Sequence, residues 1–281
     1  MLTRRRLLTH CLKRWGVSRN NILAASFRFA SLGSGSEGNA LVVQVGKTCV
    51  LMDCGFNLTE SVARLARLGL KPEALSGIVV THEHGDHVAG VARLARKYSL
   101  PVWLTHGTLR AQFKTLGALP NVTEINPHHS FAIGDVLVQP YLVPHDAAEP
   151  VQYVFGEGAK RLGVLTDVGS STPHIEQTLS GCAALVLECN HDTELLAQGD
   201  YPYSLKQRVG GRFGHLNNAA AAALLARLDN SQLQHIVAAH LSRKNNTPEL
   251  AARGLSKVLN CSEEWIGVAT QEEGFAWREI V

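Results

Sequence analysis

A run of seven residues, coming straight after a short apolar segment, constrains this chain more than any other feature in it. Gly77-Ile78-Val79-Val80 is uncharged and β-branched, and it leads directly into Thr81-His82-Glu83-His84-Gly85-Asp86-His87. A helical pattern follows from Val88 to Leu94, so the run reads as a loop at the C-terminal end of a buried strand. That is where α/β folds place their sites. Three imidazoles and two carboxylates fall within six residues. Buried, they would need partners; exposed, they would have no structural use. His82-x-His84 puts two imidazoles on one side of an extended segment, within reach of one cation. Asp86 and His87, on the following turn, would face a second. The segment reads as a metal site.

The chain has 281 residues, enough for one large α/β domain with a sizeable core. Of its 27 basic residues, six lie in residues 1–25 with no acid among them. The formal charge of +3 therefore sits in a basic N-terminal extension, and residues 26–281 form a slightly acidic domain. Bulk charge gives that domain no argument for binding nucleic acid. The six cysteines show no Cys-x-x-Cys pair, and Cys49 and Cys182 sit among apolar residues. Reduced thiols and a cytoplasmic location are expected. Thr3-Arg4-Arg5-Arg6 resembles the start of a twin-arginine signal, but Lys13, Arg14 and Arg19 interrupt any apolar region after it. No stretch is long and apolar enough to span a bilayer.

Along the chain, Phe27–Ser31 reads as a strand running into the glycine-rich loop Gly33–Asn39. That loop could approach a phosphate through its backbone N–H groups or be an ordinary turn. Strands are expected at 41–45 and 48–52 about Gly46-Lys47, at 78–80, at 101–104, and in a hairpin about Gly134-Asp135. Further strands are expected through Leu142-Val143, at 151–155, 161–165, 183–187 and 236–239, and near Trp265 and Phe275. Helices are expected over 64–68, to about Lys97, and over 108–116, 172–179, 203–209, 217–228 and from Pro248. Asp53, His82/His84, His145, Asp167, Asn190/His191 and His240 then all lie just past strand ends. Residues so placed converge on one rim of a sheet however far apart they are in sequence.

In this order, Asp53, His82-x-His84-x-Asp86-His87, His145, Asp167 and His240 resemble the metallo-β-lactamase superfamily. The resemblance implies a four-layer αββα sandwich, two mixed sheets flanked by helices, with two metals on its rim. It implies that His82, His84 and His145 hold one metal and that Asp86, His87 and His240 hold the other. Asp167 would bridge them, and Asp53 would orient a ligand. A narrower likeness, over roughly 27–270, is to the YycJ (WalJ) branch. It rests on Glu188-Cys189-Asn190-His191-Asp192, Tyr201-Pro202, Leu205-Lys206-x-Arg208, Gly214-His215-Leu216-x-Asn218 and His240-Leu241-Ser242-x-x-Asn245-Asn246. Asn217 stands where that branch usually has serine, and Lys244 where an acid is expected. The branch implies 5′-to-3′ exonuclease action on DNA.

Two divalent ions sharing a water would lower its pKa and supply a bridging hydroxide as nucleophile, with Asp86 and Asp167 as the carboxylates of the reaction. Imidazoles with a few carboxylates suit Zn²⁺, and Mn²⁺ or Fe²⁺ would satisfy the same donors. A phosphodiester also needs cations and a proton donor for the leaving oxygen. Lys206, Arg208, Arg212, Arg243 and Lys244 are the basic groups near the motifs. His215 is the candidate proton donor or phosphate contact; its other reading is a first-turn residue of a helix capped by Asn217. Asn190, His191, Arg208, Ser242, Lys244 and Asn245 are candidates for substrate binding, though Asn190-His191 could equally be a rim network. Two other readings stay open: a hydrolase of a small ester, thioester or phosphodiester on the same fold, and a non-catalytic metal-binding regulatory protein.

Overall fold

A computed structural model describes residues 26–281; the basic N-terminal extension lies outside the described residues. In chain order, the first sheet takes β1 (Phe27–Gly33), β2 (Ala40–Val45), β3 (Thr48–Met52), β4 (Gly77–Val79), β5 (Val102–Thr105) and β6 (Val122–Ile125). The second takes β7 (Phe131–Ile133), β8 (Val136–Leu142), β9 (Val151–Glu157), β10 (Lys160–Leu165), β11 (Ala184–Glu188), β12 (His235–Ala239) and β13 (Gly267–Val268). The last strand, β14 (Phe275–Ile280), returns to the first sheet beside β1. The spatial orders are β14-β1-β2-β3-β4-β5-β6 and β13-β12-β11-β10-β9-β8-β7. Each sheet is antiparallel at one end and parallel at the other, because hairpins give way to helical crossovers partway along it.

The helices are α1 (Leu58–Arg67), α2 (Gly85–Val88), α3 (Val91–Tyr98), α4 (His106–Leu116), α5 (Pro173–Leu179), α6 (Thr193–Gln198), α7 (Tyr203–Val209), α8 (Asn218–Arg227) and α9 (Pro248–Leu259). Three apolar layers account for the four-layer sandwich. Phe27, Phe29, Val43, Val79, Tyr153 and Val186 fill the space between the sheets. Leu51, Ile78, Leu65 and Leu94 join the first sheet to α1 and α3. Leu185, Ile236, Leu224 and Leu255 join the second to α8 and α9. Central strands such as β3 and β11 are buried at every position, so they read in sequence as apolar runs and not as alternation.

Five elements depart from expectation, one of them α6 (Thr193–Gln198), a helix that no sequence pattern announces. The helix after the motif is two helices, with Asp86 and His87 inside the first. The break is at Gly90, whose N–H goes to the Cys54 carbonyl at 2.8 Å. A Cβ there would lie 1.9 Å from the Phe56 carbonyl oxygen, so the chain needs glycine to pass. Strand β6 has three exposed residues of four and pairs along one edge only, which leaves no apolar signature. β8 runs unbroken through Pro140; β7 pairs only as far as Val138, so no neighbour on that side asks for the missing proline N–H. Trp265 lies in a 3₁₀ turn just before the two-residue strand Gly267–Val268. No helix among the described residues is long and apolar enough to cross a membrane.

Candidate metal centre

Six strands of like direction deliver side chains to one rim. Asp53 follows β3, His82 and His84 follow β4, His145 follows β8, Asp167 follows β10, Glu188 ends β11, and His240 follows β12. Asp53, Asp167 and His240 have φ of 61°, 51° and 56°. A left-handed backbone at a residue other than glycine costs roughly 1–3 kcal/mol, and three such residues share this rim. The turn aims each side chain across the strand ends.

The motif loop is seated by backbone contacts before any side chain acts. Asn39 N–H donates to the Asp86 carbonyl at 2.8 Å, and Cys54 N–H to the His87 carbonyl at 2.8 Å. The fit requires glycine at position 55, where a Cβ would lie 1.8 Å from the Asp86 carbonyl oxygen. The loop Gly33–Asn39 is therefore a buttress more than a phosphate cradle. Its Asn39 amide lies 3.2 Å from Asp86 Oδ2 and 3.1 Å from His87 Nε2, and Ser34 Oγ accepts from His240 N–H at 2.9 Å. Only Ser36 of this loop joins the lining of the cleft above the rim.

Asp53 organises the first half of the rim. It accepts from the Thr81 backbone N–H and hydroxyl and from His87 Nδ1, each at 2.8 Å. Because the Thr81 hydroxyl gives its proton to Asp53, it accepts from His82 Nδ1–H at 2.9 Å, which leaves Nε2 of His82 with its lone pair outward. His145 Nδ1 donates to the Gly214 carbonyl at 3.1 Å with the same consequence. His82 Nε2 and His145 Nε2 then approach His84 Nδ1 at 3.0 and 3.3 Å. Burial holds the pKa of His82 and His145 below the ordinary range, so both imidazoles are neutral donors.

The second half is rich in carboxylates. Asp86, His87, Asp167 and His240 form one tight cluster. Burial alone would depress His87, but Asp167, Asp53 and Asp86 outweigh it and hold its pKa well above the usual range. His240 is likewise pushed up to about 10 against its burial, by Asp167, Asp86 and Glu188. Asp167 reaches both halves: Oδ2 is 3.2 Å from His87 Nε2, and Oδ1 is 3.5 Å from His240 Nε2 and 4.0 Å from His145 Nε2.

Glu188, which the sequence marks only as part of the Glu188–Asp192 motif, lies at the centre of the second half. It is fully buried and accepts backbone N–H bonds from Asp167, Val168 and Leu216 at 3.0–3.1 Å. It also takes His215 Nδ1 at 2.8 Å and His240 Nδ1 at 3.1 Å. A bare buried carboxylate would cost several kcal/mol, and these bonds offset it. Burial raises its pKa, but His215 and His240 overcome that and bring it to about 2. The signal available in sequence was its position: the last residue of an apolar strand, next to motif residues.

Whether these residues suit cations can be tested on their unmet valences. Asp167 Oδ2 and His240 Nε2 are buried with no hydrogen-bond partner. His82, His84 and His145 turn ring nitrogens toward one another, and three lone-pair donors in contact call for a shared acceptor. In the second cluster, protons on His87 and His240 balance the carboxylates, and a divalent ion would displace them. Mixed nitrogen and carboxylate donors fit divalent cations.

The residues singled out for substrate divide into two groups. Asn190, Arg208, Ser242 and His215 line a cleft of about 380 Å³ above the rim, with Tyr201 and Asp146. His191 is buried beside Asn190 and faces a separate cavity; Asn245 is buried and its amide donates to Ser242 Oγ. Both therefore support residues that reach the cleft. Lys244 lies outside the lining, with Nζ 5.7 Å from the Tyr201 ring. Among the other cations, Arg243 is held between Glu37 and Glu272, and Lys206 donates to the Ala197 carbonyl. Asn217 caps α8 by accepting from Ala220 N–H, as the structural reading of the Gly214–Asn218 turn expects, and His215 of the same turn also lines the cleft.

Fold and rim together define a metal-dependent hydrolase. Residues 48–240 match the family described as Beta-lactamase superfamily domain. Exodeoxyribonuclease YycJ of Bacillus anthracis is 38% identical over 246 residues, which cover 85% of this chain and 91% of that protein. Exodeoxyribonuclease WalJ of Streptococcus pneumoniae is 33% identical over 248 residues, or 86% of this chain and 91% of that one. The metallo-β-lactamase fold protein YhfI of Bacillus subtilis superposes with a TM-score of 0.69 at 16% identity, covering 91% of this chain and 99% of that structure. The chain belongs to the metallo-β-lactamase superfamily.

Proposed function

We propose that this protein is a dinuclear metal-dependent phosphodiesterase that removes nucleotides from the 5′ end of DNA. The observation that carries the reading is the reach of Asp167 into both clusters at the floor of an open cleft. His82, His84 and His145 would hold one divalent ion, and Asp86, His87 and His240 the other, with Asp167 between. Zn²⁺ suits these donors best, and Mn²⁺ or Fe²⁺ also fit. Such ions would acidify a water and neutralise charge on the phosphate oxygens.

The chain's own groups divide the remaining work. Asp53 and Glu188 fix the rings of His87 and His240 from behind. Glu188 also fixes His215, whose pKa is raised: burial opposes the proton, and the Glu188 charge and hydrogen bond outweigh it. Glu188 thereby favours the protonated form of His215, which lines the cleft and would give its proton to the leaving oxygen. Arg208, held by Asp146 at 2.6 Å, and Ser242 and Asn190 would contact the phosphate. The names of YycJ and WalJ as exodeoxyribonucleases support DNA as the substrate. The five described cysteines are free thiols, four of them buried, which supports a cytoplasmic setting.

The test is digestion of end-labelled DNA and RNA of both polarities with added Mn²⁺ or Zn²⁺. Mononucleotides released from the 5′ end of DNA are expected. A protein inert on nucleic acid but active on S-lactoylglutathione would replace this reading with that of a small-thioester hydrolase.

A further inference from the structure

We infer that the cavity between α6 and α7 is a second ligand site, separate from the metal cleft, and that it takes a nucleoside monophosphate. His191 and Gln207 would meet the base, Tyr203 its face and Lys206 the phosphate. The chemistry of this cavity is complete without the metal rim, so the inference goes beyond the nuclease reading and does not rest on it.

The cavity holds about 390 Å³, within the size range of small-molecule sites. Helix α7 divides it from the cleft. Leu205, Arg208 and Val209 line the cleft, Tyr203, Lys206 and Gln207 line the cavity, and no residue lines both. Each set has the i, i+3, i+4 spacing of a single helix face, so α7 turns one face to each space. None of its residues is buried, which leaves both faces to ligands. The facing wall is α6, whose Leu196 gives the cavity a buried apolar patch.

The group that points to a ligand is His191, only 1% exposed. Its Nδ1 lies 3.2 Å from Asn190 Oδ1, and the Asn190 amide nitrogen donates to the His240 carbonyl at 3.0 Å. Asn190 therefore presents its oxygen, and His191 donates from Nδ1. Support of Asn190 uses that nitrogen alone. Burial holds the ring's pKa below the ordinary range, so Nε2 keeps a lone pair, and it has no hydrogen-bond partner among the described residues. A Cβ at Gly210 would lie 4.0 Å from Nε2, and Gly210 lines the cavity, so this nitrogen faces it. A buried acceptor there calls for an N–H or O–H on whatever enters.

Lys206 donates to the Ala197 carbonyl at 2.6 Å, which leaves its other protons to a ligand, and no carboxylate lines the cavity. The Tyr203 ring is 77% exposed and offers a stacking face. A bare anion would leave His191 unmet, and a neutral base would leave Lys206 unmet. A nucleoside monophosphate whose base carries an amino group answers both, with its aromatic plane on Tyr203.

The experiment is isothermal titration calorimetry of the full-length, metal-loaded protein with dAMP and with deoxyadenosine. Both should bind wild type, and Gly210→Leu should abolish the binding of deoxyadenosine. A Cβ at Gly210 makes only ordinary contacts, the nearest at 3.4 Å, and φ there is −84°, so leucine fills the cavity without backbone strain. Lys206→Ala should weaken dAMP about tenfold, the scale of one charged hydrogen bond, and leave deoxyadenosine within about twofold of wild type. Saturating inorganic phosphate, which would occupy the metal rim, should leave deoxyadenosine bound. Deoxyadenosine binding that survives Gly210→Leu or is displaced by phosphate overturns the site, as does dAMP binding that Lys206→Ala leaves unchanged. Absence of binding to wild type at millimolar ligand overturns it too. Should Gly210→Leu lose its circular dichroism spectrum, Lys206→Ala and Gln207→Ala decide, since neither side chain is buried, and undiminished dAMP binding in either overturns the site. These outcomes are read whether or not the wild type digests DNA.

Discussion

The two halves of the rim solve the same problem with opposite electrostatics. In the first half, His82 and His145 are neutral, because burial removes their protons and hydroxyl or carbonyl partners fix their tautomers, and both rings approach His84 Nδ1. Asp86, His87, Asp167 and His240, backed by Asp53 and Glu188, hold carboxylates whose charge is balanced by imidazolium protons. The first half is ready for a cation as it stands, and the second must exchange protons for one. Binding in the second half should therefore release protons and weaken as pH falls, more steeply than in the first.

Substitution of the residue common to both halves tests this contrast hardest. Asp167→Ala should lower kcat by about 10³-fold or more, because charge stabilisation by bound metal is worth several kcal/mol at about 1.4 kcal/mol per decade. It should also cut metal content below one equivalent by elemental analysis, with an unchanged circular dichroism spectrum. Full activity in that variant would rule out a shared carboxylate. Next in size, His82→Ala and His240→Ala should each lose one equivalent of metal. If the halves differ as described, titration at pH 6 and pH 8 should show the metal retained by His82→Ala binding with the steeper pH dependence.

Glu188→Gln should cost about 10–100-fold in activity, the usual scale for a group that holds metal ligands from behind. The variant keeps the side-chain shape but removes the charge that holds the proton on His215. If His215 is the proton donor proposed above, the alkaline limb of the activity profile should then move to lower pH. Stability should respond at the opposite end. The folded Glu188 has its pKa depressed to about 2, so its contribution is complete above the ordinary carboxylate range and is lost as pH falls toward 2. Urea midpoints for wild type should fall across that window, and those of Glu188→Gln should fall less. The smallest effect belongs to Arg208→Ala. Its ion pair to Asp146 is 61% exposed on the arginine side, and exposed pairs are worth about 0–1 kcal/mol. A rise of a few-fold in KM on DNA, with kcat unchanged, is expected.

How much of this was legible in the sequence follows from distance along the chain. The segment from Thr81 to His87 carries its ligands within seven residues, so composition and strand period were enough to read it. Asp53, His145, Asp167 and His240 were legible as positions, each just past an apolar run, and the family pattern supplied their order. Glu188 was not, because a glutamate ending a buried strand becomes intelligible only when its five donors are known. Arg243 and Arg208 looked alike as basic residues near motifs. One is held between Glu37 and Glu272, and the other leans over the cleft. Strand β6 was missed because an edge strand with exposed residues leaves little hydrophobic signal.

While the αββα layers came as an implication of the family resemblance, the sequence by itself therefore determined the alternation of strands and helices and the density of metal-binding chemistry at 81–87. These depend on local period and on residues that are neighbours in the chain. Only the tertiary structure decided that Asp167 reaches both clusters, that Glu188 holds His215 and His240 together, and that His191 and Asn245 stand behind the cleft. Those outcomes depend on the register of strands β10, β11 and β12 and on left-handed turns at Asp53, Asp167 and His240. A one-residue slip in that register would turn every one of these side chains to the other face, and no local pattern records it.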